Sequence, residues 1–241
     1  MTDVWGKIYK DQHHGTVARH SMERDDGRME VFESAAGYFE APRSEEETDL
    51  LAELEEPVLD LAAGVGSYTL YLQEKGLDVT AADYSPGALE VCRERGCRKV
   101  RQLDLRDLEL EPGSFRSVII MGNTLGAHQT PASLPYLFRS LRRAVRPNGR
   151  LLCSTVDPLD TAEEAHLAYH ERNRRRGLPP GLVRMRMMYG DLVDDWMLLW
   201  LMTESELLDV ATKEQWTLLE TRAYGPFRAR LFERSEGEEP G

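Results

Sequence analysis

Three aspartates carry the most suggestive chemistry in this chain: Asp60, Asp83 and Asp104. Asp60 stands directly ahead of a short glycine-rich run, Leu61-Ala62-Ala63-Gly64-Val65-Gly66-Ser67. Glycines in such a turn let a ligand approach the backbone closely. A dinucleotide fingerprint would read G-x-G-x-x-G; Gly64 and Gly66 are present, but the third position is Thr69. A carboxylate beside the loop is unhelpful to a pyrophosphate and suits a ligand that carries positive charge. Asp83 follows Gly64 by 19 positions, a place from which an acid accepts hydrogen bonds from two ribose hydroxyls. Further on, Gly122-Asn123-Thr124-Leu125-Gly126-Ala127-His128 forms a second polar loop. There Asn123 can orient a polar group or cap local backbone. His128 can take a proton or be a surface histidine.

The surrounding pattern supplies elements to position these residues. PVLDLA (57–62), LDVTAAD (77–83), KVRQLDL (99–105), RSVIIMG (116–122) and RLLCSTVD (150–157) read as strands. Helical spacing covers 67–75, 85–95 and 133–146 between them. Ser85 and Pro86 suit an N-cap and first helical position, and Gly76 and Gly96 suit helix stops. Alternating strands and helices predict an α/β fold with a parallel sheet covered on both faces. Ligands of such sheets bind in the crevice outside the carboxyl ends of the strands, which is where the three aspartates fall.

The rhythm breaks over 158–202. A helix is expected at 162–176, then a β-hairpin of 182–190 and 194–202 turning at Gly190-Asp191. This insertion would cover the active end of the sheet. Thr203-Glu204-Ser205-Glu206 is a capping box for a helix running to about Gln215. TLLETRAYG and FRARLFER close the chain as an antiparallel pair. Residues 1–45 read as an N-terminal helical lid segment, patterned around Arg28 to Phe39, 46–234 as the main domain, and 235–241 as a frayed acidic tail.

Five of these stretches, in order, resemble the motifs of the class I S-adenosylmethionine-dependent methyltransferases. VLDLAAGVGSYTLYL is similar to the first motif, DVTAADYSPGALEVCRERG to the second, and QLDLRDLEL to the adenine-binding segment. FRSVIIMGNTLG is similar to the fourth, and LRRAVRPNGRLLCS to the helix–turn–strand that closes the core. The resemblance runs from about Pro57 to Asp157. It implies a Rossmann-like, doubly wound, mostly parallel seven-stranded sheet with an antiparallel final strand. It also implies S-adenosylmethionine as cofactor and S-adenosylhomocysteine as product. Gly64 and Gly66 would pass under the methionyl part, with Asp60 holding its ammonium through water or backbone. Asp83 would take the ribose hydroxyls beside Tyr84. Asp104 would accept from the adenine amino group, with the Leu105 N–H facing the ring and Asp107 as the alternative acid. Met121 and Gly122 would lie beside the methionyl group, unless Met121 is core. Ala62 replaces a glycine common in the family, a change tolerated if its φ is negative.

Methyl transfer from a sulfonium is an in-line displacement that needs alignment and no metal. Asn123 and His128 are the candidate catalytic residues. Trp5, Tyr9, Tyr38 and Phe39 are candidates for an aromatic cover over the cofactor. His166, Tyr169 and His170 present either a polar face over the substrate or a solvated one. Trp196 and Trp200 are core residues or a pocket wall; His13-His14 receives no role. A net charge of −12 disfavours nucleic acid as partner and leaves a small-molecule acceptor. No apolar run reaches membrane-spanning length, and the polar first twenty residues lack a secretory pattern, so a cytoplasmic location is expected. Cys92, Cys97 and Cys153 are read as reduced thiols without metal spacing. The competing readings are an NAD(P)-dependent oxidoreductase and a non-catalytic S-adenosylmethionine-binding module.

Overall fold

A computed structural model describes residues 2–235; the expected tail lies almost wholly outside them. The chain opens with helix α1 (Val4–His13), the hairpin β1 (His20–Arg24) and β2 (Met29–Phe32), a 3-10 turn at Ala36–Phe39 and helix α2 (Glu45–Ala52). Then come β3 (Val58–Leu61), α3 (Ser67–Glu74), β4 (Val79–Asp83), α4 (Pro86–Arg95), β5 (Lys99–Gln102) and β6 (Phe115–Ile120). They are followed by α5 (Leu134–Ala144), β7 (Val145–Val156) and α6 (Glu164–Arg175). The insertion's strands are β8 (Leu182–Tyr189), β9 (Leu192–Val193) and β10 (Met197–Trp200). Helix α7 (Glu204–Lys213) and strands β11 (Trp216–Tyr224) and β12 (Phe227–Arg234) complete the chain.

The main sheet has seven strands in the order β11-β12-β7-β6-β3-β4-β5. Only β12 runs against its neighbours. β3 is buried at all four residues, as an apolar strand covered on both faces must be. Helix α5 buries Leu134, Leu137, Phe138, Leu141 and Ala144 on the sheet, the i, i+3, i+4, i+7 and i+10 positions of one helical face. Local chemistry sets the helix ends: Ser85 accepts from the Ala88 N–H ahead of Pro86, and Thr203 and Glu206 form the capping box. The expected turn at Pro147-Asn148-Gly149 lies instead inside β7, where the pairing with β6 slips in register.

A second sheet, β10-β8-β1-β2 with β9 on β8, roofs the carboxyl end of the first. Here the expected N-terminal helix is α1, and the helical patterning around Arg28 to Phe39 is corrected. Helix occupies only Val4–His13, and the 28–39 stretch holds strand β2 and the 3-10 turn. Asp25-Asp26-Gly27, with Gly27 at φ +84°, turns the chain between β1 and β2. An acid followed by glycine is a strong hairpin signal. β1 pairs with β8 from Ser21↔Met188 to Arg24↔Met185, so the N-terminal hairpin and the insertion form one roof.

Asp3 fastens α1 to the main domain. One oxygen accepts from the Gly6 N–H (2.9 Å) and the Ser85 hydroxyl (2.7 Å), the other from the Gly87 N–H (2.8 Å). The two helices cross at glycines: a Cβ on Gly87 would lie 2.6 Å from the Gly6 Cα. Gly87→Ala should therefore force α1 and α4 apart and destabilise the protein by about 1–3 kcal/mol, the range for overpacking. Urea denaturation checks this against Gly37→Ala, where an added Cβ meets nothing within 4 Å. Equal stability of the two variants would contradict the crossing.

Candidate active site

The carboxyl ends of β3, β4 and β6, the segment after β5 and the second sheet enclose a cavity of about 390 Å³. The chain order reverses between β3 and β6, the topological switch point at which open α/β sheets bind ligands. The floor includes Ala62, Gly64, Asp83, Tyr84, Asp104, Leu105 and Gly122. Asn123, Thr124, Ala127 and His128 form one side.

Asp83 is 6% exposed. Its Oδ2 accepts from the Gly64 N–H and its Oδ1 from the Ser85 N–H, both at 2.9 Å. Burial raises its carboxyl to about 6, against the pull of those two bonds. A carboxylate offers roughly four lone-pair sites, so acceptor capacity remains for a ligand.

Asp60 behaves differently. It is 2% exposed and does not line the cavity. Its Oδ2 accepts from the Thr69 N–H (3.1 Å) and hydroxyl (2.7 Å). It thus caps the first turn of α3 from behind the loop, and burial raises its carboxyl to about 7. Two of the three aspartates line the crevice, and the third holds the loop's backbone. Gly66 and Met121 are also off the cavity wall. Gly66 is the N-cap of α3 at φ +76°, where a Cβ would strike the Cys97 sulfur at 2.4 Å. Met121 packs in the core.

Ala62 has φ +61°, so the negative φ under which an alanine is readily tolerated there is not met. An L-residue there costs about 1–2 kcal/mol, which the surrounding loop must offset. Gly64, at φ +55°, lies under Tyr9, whose hydroxyl oxygen would be 3.6 Å from an added Cβ.

Asp104 lines the cavity and Asp107 does not. Arg106, which sequence reading missed, forks onto Asp104: Nε lies 2.9 and 3.0 Å from its two oxygens and Nη2 2.5 Å from Oδ2. That guanidinium holds the Asp104 carboxyl below its usual range. Asn123 uses Oδ1 to accept from the Val156 N–H (2.6 Å), tying its loop to β7 while still lining the cavity. The His128 backbone N–H donates to Leu198 in the roof (2.7 Å). Burial first, then Arg106, lowers its imidazole pKa from the usual histidine range, which favours the neutral form that a base needs.

Trp5, Tyr9 and Tyr38 form a mutually packed aromatic group on the cavity wall, with centroids 5.4–5.6 Å apart. Phe39 lies outside it, between His13 and Arg95. The roof adds Met22, Glu30, Phe32, Met185, Met187, Met197, Leu199 and Leu201, none of them foreseen. The signal was present in β8, where Met185 and Met187 alternate with Arg184 and Arg186. Trp196 and Trp200 lie on the opposite face from the cavity. Trp200 joins the main core and Trp196 sits under Arg184 and Arg186. His166, Tyr169 and His170 line a separate, adjoining cavity. His13 and His14 meet Glu94 at the surface, at 3.4 and 2.9 Å.

Residues 58–149 match the family model described as a methyltransferase domain. A putative methyltransferase of Bacillus subtilis, YqeM, is 30% identical over 110 residues, covering 44% of each chain. A demethylmenaquinone methyltransferase of Clavibacter sepedonicus is 37% identical over 108 residues, 43% of this chain and 42% of that one. The matched stretch spans less than half the length of these relatives. A methyltransferase from Bacteroides fragilis, crystallised with S-adenosyl-L-homocysteine, superposes with a TM-score of 0.81 at 23% identity, over 97% of this chain and 95% of its own. Residues 58–149 thus match a methyltransferase domain, and the chain has the fold of the S-adenosylmethionine-dependent methyltransferase it superposes on.

Asp60 yields a pH prediction. Its folded pKa of about 7 exceeds the unfolded value of about 3.9, so the folded state holds an extra proton between them. The group's contribution to stability therefore falls as pH rises through that window. Asp60→Asn removes the titration. Its stability relative to the parent should rise by about 2–3 kcal/mol between pH 5 and 8, as read by urea denaturation. A constant difference across that range would contradict the buried, protonated acid.

Proposed function

We propose that the chain binds S-adenosylmethionine in the 390 Å³ cavity and transfers its methyl group to a small-molecule acceptor. The observation that carries this reading is the convergence of Asp83, Gly64, Leu105 and Gly122 on one cavity closed by an apolar roof. The donor set suits the cofactor. Asp83 has acceptor capacity for the ribose hydroxyls, Asp104 and the Leu105 N–H for the adenine edge, and Gly64 and Gly122 for close backbone approach. Asp60 acts through the loop's backbone. When bound, the cofactor supplies an activated methyl on a positively charged sulfur.

The chain's own residues then position and protect. Trp5, Tyr9 and Tyr38 offer aromatic faces that attract a cation. The Met and Leu side chains of the roof exclude water. His128, whose burial favours the neutral ring, is placed to take a proton from an acceptor hydroxyl or amine, and Asn123 keeps its loop against β7. An enclosed site and the net charge of −12 favour a small acceptor over nucleic acid. Among relatives, the Clavibacter enzyme is named for demethylmenaquinone and one from Serratia marcescens for malonyl-[acyl-carrier protein]. We read 46–234 as the methyltransferase domain, 158–202 as its substrate cover and residues 1–45 as the rest of that cover. Among the described residues no helix is long and apolar enough to cross a membrane, and a cytoplasmic location fits this reading.

Asp83→Ala should weaken S-adenosylhomocysteine binding by about 1–3 kcal/mol in calorimetry. In the parent, affinity should fall as pH drops through about 6, because the ligand needs the ionised carboxylate. Unchanged affinity in the variant would remove the ribose assignment.

A further inference from the structure

A second cavity of about 280 Å³ adjoins the donor cavity, and the two share Met22, Glu30, Met185, Leu199 and Leu201 as lining. A molecule lying in the second cavity therefore reaches the first at this junction. Four of the five shared residues are apolar, and Glu30 alone carries charge. Its direction follows from β2. Side chains alternate along a strand, so Glu30 shares with Phe32 the face that lines the donor cavity. Met29 and Val31, on the other face, are 47% and 46% exposed. Glu30 stands opposite Met22 of β1 and is itself exposed, so a ligand entering the junction can reach it.

No cation of the protein answers Glu30. Among the described residues its side chain makes no hydrogen bond or ion pair, and no Lys or Arg lines the donor cavity. The cations of the second cavity are engaged elsewhere: Arg24 with Asp26, and Arg28 and His166 with Glu163. Burial disfavours a charge on His170. Of the other acids there, Asp160 pairs with Arg228, whereas the carboxylate of Asp157 meets only the Leu159 N–H. The charge left over where the cavities meet is negative.

The rings around it suit a positive partner. Phe32 lies beside Glu30 on the same face of β2, and Tyr38 lines the same cavity. Burial raises the Tyr38 hydroxyl most, Arg43 opposes that, and the nearby charge of Glu30 adds to the rise. A carboxylate next to aromatic faces is what an ammonium group prefers, the acid supplying charge and the rings their negative faces. Asp83 and Asp104 lie on the floor and are taken by the cofactor reading, so Glu30 is the acid left for the acceptor.

We propose that this junction is the acceptor subsite and that Glu30, with Phe32 and Tyr38, selects a molecule with an apolar body and a positively charged amine. This rests on the methyltransferase reading above, and the test separates the two. Calorimetry on the full chain would measure S-adenosylhomocysteine first. With it bound, phenethylamine, octylamine and tryptamine would be compared with the matching alcohols. At least one amine should bind about tenfold or more tightly than its alcohol, a charge-assisted bond being the stronger. Glu30→Gln keeps the shape without the charge. It should lose that preference and retain the parent's affinity for S-adenosylhomocysteine, which also shows that it folds. Glu30→Lys should reverse the preference, binding phenylpropanoate more tightly than phenethylamine. Equal binding of amine and alcohol, an unchanged preference in Glu30→Gln, or no amine binding beside normal S-adenosylhomocysteine binding would overturn the subsite. So would a Glu30→Gln protein that loses affinity for S-adenosylhomocysteine, because Glu30 would then serve the cofactor. Failure of the parent to bind S-adenosylhomocysteine would instead overturn the donor reading.

Discussion

The site depends on a carboxylate, that of Asp83, holding two backbone N–H groups at the end of β4. One belongs to Gly64 in the turn after β3, the other to Ser85 at the start of α4. Those two bonds join neighbouring strand ends into one rim. Burial works against the charge, raising the acid to about 6, so at neutral pH an ionised group is kept where water scarcely reaches it. Asp60, its carboxyl raised further to about 7, supports the loop from behind. It anchors α3 through Thr69 and fixes the other side of the loop. Ala62, Gly64 and Gly66 are then left in left-handed backbone, and the turn's backbone between β3 and α3 faces a cavity.

The roof depends on long-range pairing. β1 and β8 lie more than 150 positions apart in the chain and share four aligned pairs. Neither hairpin alone closes the cavity; joined, they place Met22, Met185 and Met187 over it. Asp3 extends the arrangement by capping α1 and holding Ser85 and Gly87 of the α4 start. The aromatic group on α1 is thereby tied to the residues next to Asp83. Cover and rim form one connected assembly, with continuous side-chain and backbone contact from α1 to β4.

Legibility of the sequence followed the range of the forces involved. β3 was readable because four consecutive buried residues leave an apolar run, and α4 because Ser85, Pro86 and Gly96 mark its ends locally. The β8 hairpin was readable from Gly190-Asp191. The N-terminal hairpin was missed although Asp26-Gly27 marks its turn: Met29 and Val31 are exposed on an edge strand, so β2 buries no apolar face, and β8, the strand that β1 joins, is remote in sequence. At the site, residue type identified Asp83 and Asp104 as cavity-lining, but it did not reveal that Asp60 turns toward Thr69. A strand's side chains alternate between faces, and which face meets the ligand is a tertiary fact. The φ of Ala62 and the fork of Arg106 on Asp104 were hidden for the same reason.

The central claim is that Asp83, Gly64 and Gly122 bound one ligand site at the strand ends. Backbone amide shifts of labelled protein titrated with S-adenosylhomocysteine test it directly. The account predicts saturable changes that are largest at Gly64, Ser85, Leu105 and Gly122, with smaller ones in α1. Saturable binding whose changes fall elsewhere, leaving those four amides still, would contradict it.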